Sequence, residues 1–124
     1  RKITANLALI RHGKSTPLEL GNIDAKRDWG FAGDYVDGMI RMVQADQPGD
    51  YVLATGETHT VREFVSVAAE IAGLRLAWEG SGIDETARDQ AGRTVVKISS
   101  EFYRPAEVDL LLGDPKRAQA QLGW

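Results

Sequence analysis

Apolar positions along this chain follow two periods, one helical and one alternating. Ile3, Leu7 and Ile10 recur at three- and four-residue spacing and the run stops at Gly13, which predicts an amphipathic helix ended by a glycine. Residues 17–21 alternate and predict a short strand closing in a Gly21-Asn22 turn. After an irregular stretch through Gly30 and Gly33, Asp34 is placed to cap a helix with Tyr35, Val36, Met39, Ile40 and Val43 on its apolar face, broken by Pro48-Gly49. The nearly continuous apolar run at 51–55 predicts a strand covered on both faces.

Thr60-Val61-Arg62-Glu63 fits a capping box, in which the Thr hydroxyl and Glu carboxylate each satisfy an orphan amide. It predicts a helix over 61–72 with Phe64, Val65, Ala68 and Ile71 inward and Gly73 at the exit. Residues 74–78 and 94–98 have strand character, whereas 80–92 are polar, aperiodic and read as a surface loop. Asp114-Pro115 supplies an N-cap followed by proline at the first helical position, with Ala118, Leu122 and Trp124 as apolar contacts beyond it. Strands and helices alternate without an internal repeat, so the class is α/β or α+β.

Composition narrows the function classes. With 124 residues, 43% of them apolar, there is material for one modest domain and not for two large independent ones. Fifteen Lys and Arg against eighteen Asp and Glu leave a net charge of −3, which supplies no overall footprint for nucleic acid or an anionic membrane. No apolar run approaches the ~20 residues that cross a bilayer, and the first fourteen residues lack the order of a signal peptide. The absence of cysteine excludes disulfides, iron–sulfur clusters and a thiol nucleophile, and suits the cytoplasm. His12 and His59 stand too far apart to suggest a metal site. The chain opens on Arg1 directly into a helical pattern and stops at Trp124, so it reads as cut at both ends.

Catalytic signatures are missing. There is no GxGxxG after a strand, and Gly13-Lys14 has Ala8 where a phosphate-binding loop needs its first glycine. None of Tyr35, Tyr51 and Tyr103 has Lys four positions later, and no Ser lies in GxSxG. What stands out instead is arginine beside aromatic and proline residues, in Arg27-Asp28-Trp29-Gly30-Phe31 and again in Phe102-Tyr103-Arg104-Pro105-Ala106-Glu107. A guanidinium presents a planar fork of donors that matches phosphate oxygens, and a diphosphate calls for two or more converging. The competing reading is a pair of surface ion pairs, Arg27 with Asp28 and Arg104 with Glu107, which would contribute little.

The run from Gly21 through Asp24-Ala25-Lys26-Arg27-Asp28-Trp29-Gly30 to Val36 carries a family resemblance. So do Ala54-Thr55-Gly56-Glu57 with Thr60-Val61-Arg62-Glu63-Phe64-Val65, and Arg104-Pro105-Ala106-Glu107-Val108 with Leu111-Leu112-Gly113-Asp114-Pro115. Together they resemble the C-terminal half of GDP-mannose 4,6-dehydratases, of the extended short-chain dehydrogenase/reductase superfamily. The resemblance spans residues 1–124 and implies an α/β chain: the substrate-binding C-terminal portion of a Rossmann-type fold whose N-terminal cofactor half is absent. NADP would be held by that half and not by this chain, and the complete enzyme, a cytoplasmic homo-oligomer, would convert GDP-mannose to GDP-4-keto-6-deoxymannose and water.

The resemblance assigns Arg27 and Arg104 to the diphosphate and Glu107 to the nucleoside ribose. It brings Lys2 near the nucleotide and sets Asn22 in the adjoining loop, with Asp28 and Trp29 holding the Arg27 loop in place. Phe102-Tyr103 inverts the Tyr-Phe order expected of the family, a change that bears on packing more than on ligand chemistry. Without the central strands of a complete fold, some apolar surface should stand exposed. The alternatives are the substrate part of another nucleotide-sugar epimerase, dehydratase or reductase, and a non-catalytic nucleotide-binding or interaction module.

Overall fold

The computed structural model describes residues 1–14, 17–103 and 108–124. They cluster as two units, one from Arg1–Ala25 and Thr60–Val108, the other from Lys26–His59 and Asp109–Trp124.

In the first unit, α1 (Lys2–Arg11) buries Leu7 and Ile10, and the chain leaves it through Gly13 at φ +67°, a conformation glycine adopts without the Cβ penalty. Strand β1 (Leu18–Leu20) is the edge of a mixed four-stranded sheet. It runs parallel to β6 (Thr94–Ile98), which pairs antiparallel with β5 (Thr86–Arg88), which pairs antiparallel with β4 (Ala77–Glu79). Strand β5 falls inside the segment expected to be loop. Thr-Ala-Arg offers one apolar side chain and so no alternation to detect, yet Ala87 is fully buried opposite Val96.

Helix α3 (Val61–Ile71) starts as its sequence predicts. The Thr60 hydroxyl accepts from Glu63 N at 3.0 Å and the Glu63 carboxylate accepts from Thr60 N at 2.7 Å. Thr60→Ala is expected to lower the unfolding free energy by ~1 kcal/mol, measurable as a lower urea midpoint at unchanged slope. The inward stripe differs from expectation: Val65 and Ala69 are buried, with Val61, Ala68 and Ala72 packed beside them, while Ile71 is 83% exposed. Small residues at these positions let α3 sit close to the core of Leu7, Leu18, Leu74, Val95 and Val96.

In the second unit, β2 (Lys26–Arg27) runs parallel to β7 (Leu110–Leu111). The short strand β3 (His59–Thr60) is the third of that sheet. Helix α2 (Ala32–Gln44) begins earlier than expected: Phe31 is the N-cap and Asp34, not a cap, lies in the first turn. Its inward line is Tyr35, Gly38 and Arg41, and Gly38 is glycine because a Cβ there would meet Leu53 and the Trp124 indole within 3 Å. The face expected to be inward is open: Val36, Met39, Ile40 and Val43 are each at least half exposed, Val43 at 87%.

Residues 51–55 join no ladder among the described residues, so the expected strand does not form. An apolar run adopts strand pairing only where a neighbour takes up its amides and carbonyls. Helix α4 (Lys116–Leu122) has Pro115 as N-cap, one residue later than expected. Asp114 accepts from Lys116 N at 3.0 Å, which holds its carboxyl below the usual range. The C-terminal end of α4 is closed by Arg41, which donates to the carbonyls of Leu122 and Gly123, and the Trp124 indole beyond it donates to Asp34 O in the first turn of α2.

Candidate functional site

Arg27 ends β2, half-buried, and lines a cavity of about 420 Å³ with Trp29, Tyr35, Leu53, Leu111 and Gly113. The volume lies in the range of small-molecule sites, which pair apolar walls with a few placed polar groups. Asp28 fixes this corner. Its Oδ1 accepts from Thr55 N at 2.9 Å and Thr55 Oγ1 at 2.6 Å, and Oδ2 accepts from Gly56 N at 3.0 Å. The Asp28 amide in turn donates to Leu111 O at 3.1 Å. One residue therefore ties the end of β2 to the 55–56 turn and to the end of β7.

Burial alone would push the Asp28 carboxyl up. The hydrogen bonds from Thr55, Gly56 and Gly113 outweigh it and hold the group below the usual carboxylate range. The carboxylate's oxygens accept from Thr55 and Gly56, contacts that tie the loop after Arg27 to the 55–56 turn. A larger depression of about 630 Å³ lies beside Arg41, Asp46, Tyr51 and Gln121. Arg41 is committed there to Asp37 and to the end of α4.

In the first unit, Lys2 and the Gly21-Asn22 turn converge on Phe102. The Lys2 ammonium sits 3.7 Å from the Phe102 ring centroid, a cation–π contact. Gly21 lies so close to the Phe102 carbonyl that any Cβ would collide with it. Asn22 folds over its own turn, Oδ1 accepting from Asp24 N at 3.0 Å. Lys2 and Asn22 thus belong to one unit and Arg27 to the other. Arg104 and Glu107 lie outside the described residues.

Pattern reading missed the groups that hold these residues in place. Thr55, Gly56 and Gly113 reach Asp28 from 27 or more positions away in the chain, with no local signature beyond a Thr-Gly pair after an apolar run. Among the described residues no helix is long and apolar enough to cross a membrane.

The match to known proteins covers the whole chain. The family model described as GDP-mannose 4,6 dehydratase matches residues 1–124. The GDP-mannose 4,6-dehydratase of Sinorhizobium fredii is 54% identical over 100% of this chain and 36% of its own length. The Drosophila melanogaster and human GDP-mannose 4,6 dehydratases are 48% and 46% identical, again over 100% of this chain, and over 32% and 34% of theirs. The chain spans about a third of the length of the curated relatives it matches.

In fold, the chain resembles RMD from Pseudomonas aeruginosa complexed with NADPH, with a TM-score of 0.70 at 22% identity over 98% of this chain and 35% of that one. It also resembles MoeE5 in complex with UDP-glucuronic acid and NAD, with a TM-score of 0.65 at 23% identity over 100% and 35%. The likeness is one of fold: a mixed α/β arrangement covering about a third of each of those chains, in line with the α/β class expected from the sequence. With the family model matching from the first residue to the last, the chain belongs to the GDP-mannose 4,6-dehydratase family.

Proposed function

We propose that this chain is the substrate-binding C-terminal part of an NADP-dependent GDP-mannose 4,6-dehydratase, a lyase forming GDP-4-keto-6-deoxymannose and water. The observation that carries this reading is the unbroken family match over residues 1–124. In it, Arg27 and Arg104 contact the diphosphate, Glu107 accepts from the ribose hydroxyls, and Lys2 and Asn22 approach the nucleotide. The Arg27 cavity supports the first assignment, since it sets a guanidinium on a rigid strand end beside apolar walls.

The chain carries no glycine-rich dinucleotide fingerprint, so its residues do not fit NADP, which belongs to the complete protein. When bound there, the cofactor supplies hydride acceptance and return. The complete protein is proposed to be a cytoplasmic homo-oligomer.

The test is incubation of the complete protein, and separately of this chain, with GDP-mannose and NADP. The complete protein should form the 4-keto-6-deoxy product and the chain alone should leave GDP-mannose unchanged. Failure of the complete protein, or turnover by the chain alone, would overturn the reading.

A further inference from the structure

The helix-capping motif that opens α3 does more than start a helix. Its third residue, Arg62, donates from Nε and Nη2 to Asp24 Oδ1 at 3.0 and 2.9 Å and from Nη2 to Glu85 Oε2 at 3.0 Å. Nη1 bonds Glu85 Oε1, and the guanidinium lies 4.8 Å from the centre of the Trp78 ring. Glu85 is only 8% exposed, and Arg62 neutralises it. The backbone adds two further links to the same turn: Arg62 N donates to Ile23 O at 2.8 Å and Val61 N to Ala25 O at 3.3 Å. The first turn of α3 therefore grips residues 23–25, the segment that follows Asn22.

The grip bears on Asn22. Its Oδ1 is committed to Asp24 N, and Asp24 is the residue Arg62 holds. The group Asn22 offers a ligand is then its side-chain amide NH2, a donor suited to an oxygen of an anionic nucleotide. We propose that Arg62 is a positioning residue that, through Asp24, holds Asn22 as a hydrogen-bond donor toward the nucleotide of the sugar substrate. This rests on the functional reading above. A fork is required rather than a point charge, because Asp24 and Glu85 are engaged at once from different nitrogens.

The experiment uses the complete protein and three variants, Arg62→Lys, Asp24→Asn and Asn22→Ala. GDP-mannose and NADP KM, kcat and hydrogen exchange of the 20–27 segment are measured on each. Arg62→Lys and Asp24→Asn should raise the GDP-mannose KM about fivefold to tenfold, with kcat and the NADP KM nearly unchanged. Both should speed amide exchange in the turn, and neither should add to the effect of Asn22→Ala when combined with it. Unchanged KM or unchanged exchange in folded variants would overturn the proposal while leaving the functional reading standing. A native protein that does not bind GDP-mannose would overturn both.

Discussion

Arg27→Ala in the complete enzyme is expected to weaken GDP-mannose binding roughly tenfold to a hundredfold, with NADP affinity nearly unchanged. The scale follows from the loss of a charge-assisted hydrogen bond, ~1.5–3 kcal/mol. Arg27 ends β2, whose partner β7 fixes its backbone, so the guanidinium approaches a ligand from a strand rather than a mobile loop. Arg27→Lys separates charge from geometry: it keeps the cation and loses the planar fork, and should recover only part of the affinity. Calorimetry with GDP-mannose and with NADP decides the matter. Unchanged GDP-mannose affinity in Arg27→Ala would return the residue to the surface ion-pair reading.

The second large effect belongs to Asp28, which is expected to act through its neighbour. Its carboxylate accepts from three backbone amides and one hydroxyl, at Thr55, Gly56 and Gly113. Asp28→Asn turns one acceptor oxygen into a donor, which then faces an amide that also donates. An unmade bond of this kind costs ~1–3 kcal/mol, so both stability and the aim of Arg27 should suffer. GDP-mannose affinity should fall about tenfold, and the double variant with Arg27→Ala should bind no worse than Arg27→Ala alone. Additive losses in that cycle would mean that Asp28 does not work through Arg27.

The same carboxylate predicts a pH dependence. Because Asp28 is held below its ordinary value when folded, its contribution is fully present above the unfolded pKa of about 4 and disappears as the pH falls through the folded value. The stability gap between native protein and Asp28→Asn should therefore be widest near neutrality and close in the acid limb. Chemical denaturation at pH 7 and at low pH measures it, and a gap that widens on acidification would contradict the assignment.

What could be read from the sequence is what depends on near neighbours. The box from Thr60 to Glu63 closes within four residues and forms as predicted. The helix ending before Gly13 likewise needs only a local pattern. Residues 51–55 and β5 fail in opposite directions for one reason. A strand is defined by its partner, so an apolar run without a ladder is no strand, whereas Thr-Ala-Arg beside β6 becomes one. Arg27 stands out as a candidate in the sequence because its chemistry is its own. The Asp28 and Arg62 networks do not, since Thr55, Gly113 and Glu85 meet them only after folding.

The stripe of Val36, Met39, Ile40 and Val43 on α2 sets how this chain fares in a cell when made by itself. Such surface is what chaperones retain and what drives self-association. The lifetime of the separate chain should be governed by quality control more than by the strength of its folded units. A single charge at Val43, the most open of the four, should change its yield and solubility while leaving its unfolding midpoint where it was.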